Sequence, residues 1–86
     1  MKIKEGFLLR RIAGQIVVLS TTGDLELNRM ITLNETGAFL WEHMQKETDE
    51  AALTSLLLQE YDVDEARAAF SVASFVEKLR KHQLLA

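Results

Sequence analysis

The sequence contains no cysteine, no proline and no uninterrupted apolar run long enough to span a bilayer. Without cysteine there is neither a disulfide framework nor thiolate chemistry, and nothing speaks for an oxidising compartment, so a cytoplasmic location is expected. Without proline, low-complexity stretches or internal repeats, nothing marks a linker, and residues 1–86 read as a single domain. The charged start Met1-Lys2-Ile3-Lys4-Glu5-Gly6 lacks the apolar region of a signal peptide, which predicts a soluble protein. Catalytic inventory is also thin. His43 and His82 stand far apart, and there is no glycine-rich phosphate loop and no HExxH spacing. Neither an enzyme, a metal site nor a cofactor is expected. Asp49-Glu50 and Asp62/Asp64 resemble paired carboxylates, but they fall at helix starts, where capping is the expected role. At this length only about 60% of the unfolded surface is buried on folding, so the core is small and a deep active-site cavity is hard to build.

The net charge of −3 is unevenly spread. Residues 1–33 carry five basic and three acidic groups, residues 34–61 one and six, and residues 62–86 four and four, giving +2, −5 and 0. The cations Lys78, Arg80 and Lys81 gather near the end of the last helical segment, where they suit the helix dipole.

The chain changes its period at Asn34. Before it, short β-branched runs alternate as strands do. After it, Ala38 with Trp41 and Leu40 with Met44 recur at helical spacing. Phe7 to Ile12 and Gln15 to Ser20 read as a hairpin around Ala13-Gly14, for which a type I turn with a Gly14 bulge is expected because alanine disfavours positive φ. Thr21-Thr22-Gly23-Asp24 signals the next turn, and Arg29 to Leu33 a third strand, with Met30 and Thr32 on one face and Ile31 and Leu33 on the other. A first helix is predicted from Glu35 to Gln45. Asn34 as N-cap and a Thr32/Glu35 capping box compete to start it. A second helix starts at Thr48 or Asp49, with Ala52, Leu53, Leu56, Leu57 and Tyr61 as its apolar stripe, and a third runs from an Asp62/Glu65 capping box to Lys81 or His82. A hairpin plus one strand cannot bury its apolar face alone, so the helices must cover it. The fold class is α+β, a three-stranded antiparallel sheet followed by three helices.

The third helix has an unusually wide apolar arc. Val72, Phe75, Val76 and Leu79 form a bulky stripe that reads as core. Beside it Ala66, Ala69, Phe70 and Ala73 form a small-residue stripe continuing into Glu77 and Arg80, while Arg67, Ser71, Ser74, Lys78 and Lys81 share the polar side. The small stripe has two readings: core covered by the other helices, or the floor of a groove with Phe70 as a wall and Arg80 and Lys81 at its rim.

Leu33-Asn34-Glu35-Thr36-Gly37-Ala38-Phe39-Leu40-Trp41-Glu42, then Thr48, Tyr61-Asp62, Phe75-Val76, Leu79 and Leu84-Leu85, resembles the PqqD family, which includes pyrroloquinoline quinone synthesis protein D and RiPP recognition elements, small domains similar to a winged helix-turn-helix. The resemblance implies a non-catalytic peptide chaperone. It would bind the leader segment of a ribosomally made precursor peptide by strand addition to the third strand, in the groove with the third helix, and present it to a modifying enzyme, often a radical SAM protein. Carried onto this sequence, the peptide-binding residues are Arg29, Met30, Ile31, Thr32, Ala69, Phe70, Ala73, Ser74, Glu77, Arg80 and Lys81. The chain departs from the family pattern at Lys46-Glu47, where an Asp-Gly turn is common, at Ser71, where Asp is common, and at Gln83, where a glycine is expected. These departures point to a peptide pathway other than that of the quinone itself.

The alternative reading is a winged-helix DNA-binding regulator, with Arg10, Arg11 and Arg29 as a basic wing. It is disfavoured because the second helix has no Lys or Arg and the third begins with Asp62, Asp64 and Glu65 against only Arg67. No membrane partner is expected. A homodimer paired through the open edge strand is the remaining partner to consider.

Overall fold

The structure, a computed structural model, describes residues 1–20 and 31–86. Three strands, β1 (Phe7–Ile12), β2 (Gln15–Ser20) and β3 (Ile31–Leu33), precede three helices, α1 (Glu35–His43), α2 (Glu50–Glu60) and α3 (Glu65–Lys81). The sheet is antiparallel in the order β1-β2-β3, so among the described strands β3 lies at the edge. The expected α+β class and element order are both present. The turn expected at Thr21 to Asp24 and the first part of the expected third strand, Arg29 and Met30, lie outside the described residues.

The hairpin turn differs from expectation. Ile12 pairs directly with Gln15, leaving a two-residue loop, and φ is positive at both Ala13 (51°) and Gly14 (81°), as in a type I′ turn rather than a bulged type I. A primed turn matches the right-handed twist of the flanking strands. That fit outweighs the roughly 1–2 kcal/mol that a left-handed conformation costs Ala13.

Asn34 wins the competition to start α1: its Oδ1 accepts the Gly37 N–H at 2.7 Å. The helix ends at His43, two residues earlier than expected, and Gln45 Nε2 donates to the Trp41 carbonyl at 3.0 Å. Asp49 caps α2 through the Ala52 N–H. In α2 the core takes Leu53 and Leu57, Leu56 and Tyr61 are partly buried, and Ala52, expected in the stripe, is exposed. The α3 cap is Asp64, which accepts from the Arg67 N–H at 2.7 Å, and not Asp62. An N-cap reaches the amide three residues on, and the helix begins at Glu65, so Asp64 alone has that register. At the far end His82 is the C-cap, Gln83 adopts φ 61°, and the Leu84 N–H returns to the Leu79 carbonyl at 2.8 Å, a Schellman motif. Gln83 thus occupies the left-handed position that usually belongs to glycine.

The core joins the inner faces of β2 and β3 (Ile16, Val18, Ile31, Leu33) to Trp41 and Met44, to Leu53 and Leu57, and to the bulky stripe of α3. Val72, Phe75, Val76 and Leu79 are all buried, as expected. Ile3 completes it from a segment that local sequence signals do not mark. Its N–H donates to the Met44 carbonyl at 2.8 Å, Lys4 N–H to the Leu84 carbonyl at 2.7 Å, and Ala86 N–H to the Lys2 carbonyl at 2.9 Å, so residues 2–4 lie between the end of α1 and the segment after α3.

Candidate functional site

The register of the sheet decides which backbone groups face outward along β3. In a two-residue hairpin the closing pair, here Ile12 and Gln15, exchanges both hydrogen bonds, and bonded pairs then alternate, so Arg10 and Val17 form the next bonded pair. Val17 therefore spends its backbone groups on β1, and its partner across β3, Thr32, is a non-bonded pair member. The N–H and C=O of Thr32 point away from β2, to an edge on which no described strand pairs, while those of Ile31 and Leu33 point into the sheet. The Thr32 carbonyl is met there by Lys78, whose Nζ donates to it at 2.9 Å from α3.

Between this edge and α3 lies a cavity of about 320 Å³. One wall is the β3–α1 junction, Leu33, Asn34, Thr36, Gly37 and Leu40; the other is α3, with Phe70, Ser71, Ser74, Phe75 and Lys78. The Asn34 cap fixes the first wall, because the acceptor Asn34 and the donor Gly37 both belong to it. Lys78 is the one charged side chain among the described residues lining this cavity. A second cavity of about 410 Å³ opens between the end of α2 and the start of α3, lined by Leu57, Tyr61, Val63, Arg67 and Ala68. The two cavities share Thr36, Phe70 and Ser71. Phe70 stands between them with 73% of its surface exposed. An aromatic ring in that state forgoes most of the roughly 1.5–3 kcal/mol that burial would yield, which a bound apolar side chain can recover.

Near the first wall, Arg11 Nη1 and Nη2 meet the two carboxylate oxygens of Glu35 at 3.0 and 3.4 Å, tying β1 to the start of α1. The hydrogen bond from Arg11, then its charge, hold the Glu35 carboxyl below the ordinary glutamate range, and Glu35 raises the Arg11 guanidinium in turn.

The residues named from the sequence distribute unevenly around this geometry. Thr32 lies at the open edge, Ile31 is buried in the sheet, and Phe70 and Ser74 line the first cavity. Arg29 and Met30 lie outside the described residues. Ala69, Ala73, Glu77, Arg80 and Lys81 are exposed and line neither cavity, and Arg80 pairs with Glu77 at 3.2 Å. The small-residue stripe is therefore not covered by the other helices, and the cavity does not take it as its floor: the walls use the opposite flank of the buried stripe, Ser71, Ser74 and Lys78. Thr36, Ser71 and Lys78 are among the lining residues that the sequence did not single out as binding residues. The signal available for Ser71 and Lys78 was the run of polar side chains spaced three and four apart beside Val72 and Phe75.

The curated proteins offer no sequence match to this chain. Two solved structures share its fold. TbiB1 in complex with the TbiA(beta) leader peptide aligns with a TM-score of 0.76 and 20% identity, over 99% of this chain and 94% of that one. Lasso peptide synthetase B1 complexed with the leader peptide aligns with a TM-score of 0.73 and 18% identity, over 96% and 93%. Identity this low speaks to the fold alone. The family model described as coenzyme PQQ synthesis protein D (PqqD) matches residues 9–85, nearly the whole length, and the chain belongs to that family.

Proposed function

We propose that residues 1–86 work as one peptide-recognition domain that binds the leader segment of a ribosomally made precursor peptide. The leader adds as a strand along the open edge of β3, in the groove with α3, and is held there for a peptide-modifying enzyme such as a radical SAM protein, while this chain performs no chemistry itself. The observation that carries the reading is the outward-facing backbone of Thr32 beside the cavity walled by Phe70, Ser74 and Lys78. Similar folds seen with leader peptides bound support it.

Magnitudes divide the work between backbone and side chains. A hydrogen bond contributes a net ~0.5–1.5 kcal/mol, and the described part of β3 offers an incoming strand only the two groups of Thr32. Backbone pairing therefore sets direction and register, and burial of apolar peptide side chains against Phe70 and the two cavities supplies most of the affinity. Binding takes place in the cytoplasm on this reading. An unoccupied edge also allows a second copy to pair, so a homodimer competes with the peptide.

The test is fluorescence anisotropy with labelled peptides taken from short reading frames encoded beside the gene. Saturable binding of the leader half of one such peptide, and not of its core half, supports the proposal. No binding by any of them, together with salt-sensitive binding to duplex DNA, would replace it with the winged-helix regulator.

A further inference from the structure

We propose that Lys78 is a displaceable cap on the β3 edge and the residue that makes the groove select acidic peptides: in the free chain its ammonium holds the Thr32 carbonyl, and in the complex it pairs with a carboxylate of the bound strand. This rests on the peptide-binding reading above and names the class of peptide the site takes.

Thr32 is the described residue of β3 whose N–H and C=O both face the open edge, and its carbonyl accepts from Lys78 Nζ at 2.9 Å. Strand addition places a peptide N–H on that same carbonyl, where it competes with the ammonium as the peptide docks. Lysine carries three donors and no acceptor, so a displaced Lys78 turns to water or to an oxygen of the peptide. No acid among the described residues lines the cavity to receive it. Among the described residues lining the cavity Lys78 is the one charged group, and the side-chain oxygens around it are the neutral ones of Asn34, Thr36, Ser71 and Ser74. Two acids on the neighbouring elements are already committed, Glu77 to Arg80 on α3 and Glu35 to Arg11 at the start of α1. A carboxylate carried by the peptide is the partner that the described residues around Lys78 do not provide, while Phe70 and the cavity beside it suit an apolar side chain nearby.

The cap has a second effect in the absence of peptide. An edge strand with free backbone groups is a template for pairing with other chains, and a lysine laid across it is a common defence. If defence were its whole role, Lys78 would oppose all peptides equally. Selection predicts discrimination, and the two separate by experiment.

Random dodecapeptides displayed on phage are selected on the immobilised wild-type chain and on Lys78→Met, Lys78→Glu and Lys78→Arg. Lys78 is exposed, so the variants are expected to fold. The wild type and Lys78→Arg are expected to enrich one Asp or Glu at a fixed spacing from an apolar residue. Lys78→Met should keep the apolar residue and lose the acid, and Lys78→Glu should prefer Lys or Arg in its place. For the best wild-type peptide, changing its acid to the amide should weaken binding about fivefold on the wild type and not on Lys78→Met, the size of one surface charge pair. The Thr32 carbonyl carbon, read through the Leu33 amide by NMR, should shift both on Lys78→Met substitution and on peptide addition. Equal acid enrichment on wild type and Lys78→Met, or peptides selected with no acidic position, would overturn the role of Lys78 while leaving peptide recognition standing. Enrichment of no peptide by the wild type would remove the peptide reading and this inference together.

Discussion

Gly37 lies so close to Phe75 that a methyl group on it would stand 3.2 Å from Phe75 Cε1, and equally 3.2 Å from Asn34 Oδ1, the atom that caps α1. One small residue thus holds the cap, the core ring and the wall of the groove in register. Alanine at Gly37 gains about 1 kcal/mol of helix propensity. Against that it crowds the ring and the cap, which together outweigh the gain. Gly37→Ala is therefore expected to lower stability by roughly 1–2 kcal/mol in urea unfolding; a net increase would mean that Phe75 yields into the cavity without loss.

Gln83 makes the opposite case. With φ at 61° in the Schellman turn after α3, it bears a left-handed strain that glycine does not. Gln83→Gly should raise stability by about 1 kcal/mol, visible as a higher urea midpoint at unchanged slope.

How much of this was legible in the sequence depends on the range of the interaction. A helix beginning after the junction at residues 32–34, the hairpin, and Val72, Phe75, Val76 and Leu79 as core all follow from local propensity and period, while the choice of Asn34 over a Thr32/Glu35 capping box came from the structure. The resemblance to the PqqD family rests on that junction together with Thr48, Tyr61-Asp62, Phe75-Val76, Leu79 and Leu84-Leu85. What escaped was set by tertiary contact. Ile3 reaches the core through bonds to Met44 and a pairing with Leu85 that no nearby residue announces. The flank of α3 that lines the cavity beside β3 is also set by tertiary contact. Periodicity identifies the buried stripe, but Ala69 and Ala73 border it on one side and Ser71 and Lys78 on the other, and only the docking of Phe75 against Gly37 decides between them. Small apolar side chains suggested a floor; hydroxyls and an ammonium form the wall instead.

The Arg11–Glu35 pair gives a pH dependence of known sign. Arg11 holds the Glu35 carboxyl below its ordinary value in the folded chain, so its contribution is present above the ordinary glutamate range and is lost as pH falls through the lowered value. Both side chains are largely exposed, and the effect is small and screened by salt. In thermal unfolding, Arg11→Ala should lie slightly below the wild type at neutral pH, and the gap should close as pH falls below the ordinary glutamate range. A gap that stays constant into acid would show that Arg11 acts through packing rather than charge.

Phe70 separates binding from folding. With 73% of its surface exposed, Phe70→Ala should change stability by less than about 0.5 kcal/mol while weakening peptide binding at least tenfold, since it removes a wall common to both cavities. Parallel urea unfolding and anisotropy titration check the two halves. Loss of folding would place the ring in the core, and unchanged affinity would place the peptide elsewhere.

The central claim is that a peptide joins the sheet at Thr32, and hydrogen exchange at that single amide tests it most directly. The Thr32 N–H faces the open edge, so in the free chain it should exchange faster than its neighbours Ile31 and Leu33, which face β2. Adding the leader half of a neighbouring short peptide should slow Thr32 exchange at least tenfold and shift the amides of Phe70 to Lys78 on α3. Saturable peptide binding that leaves Thr32 exchange unchanged would contradict strand addition, whatever the affinity.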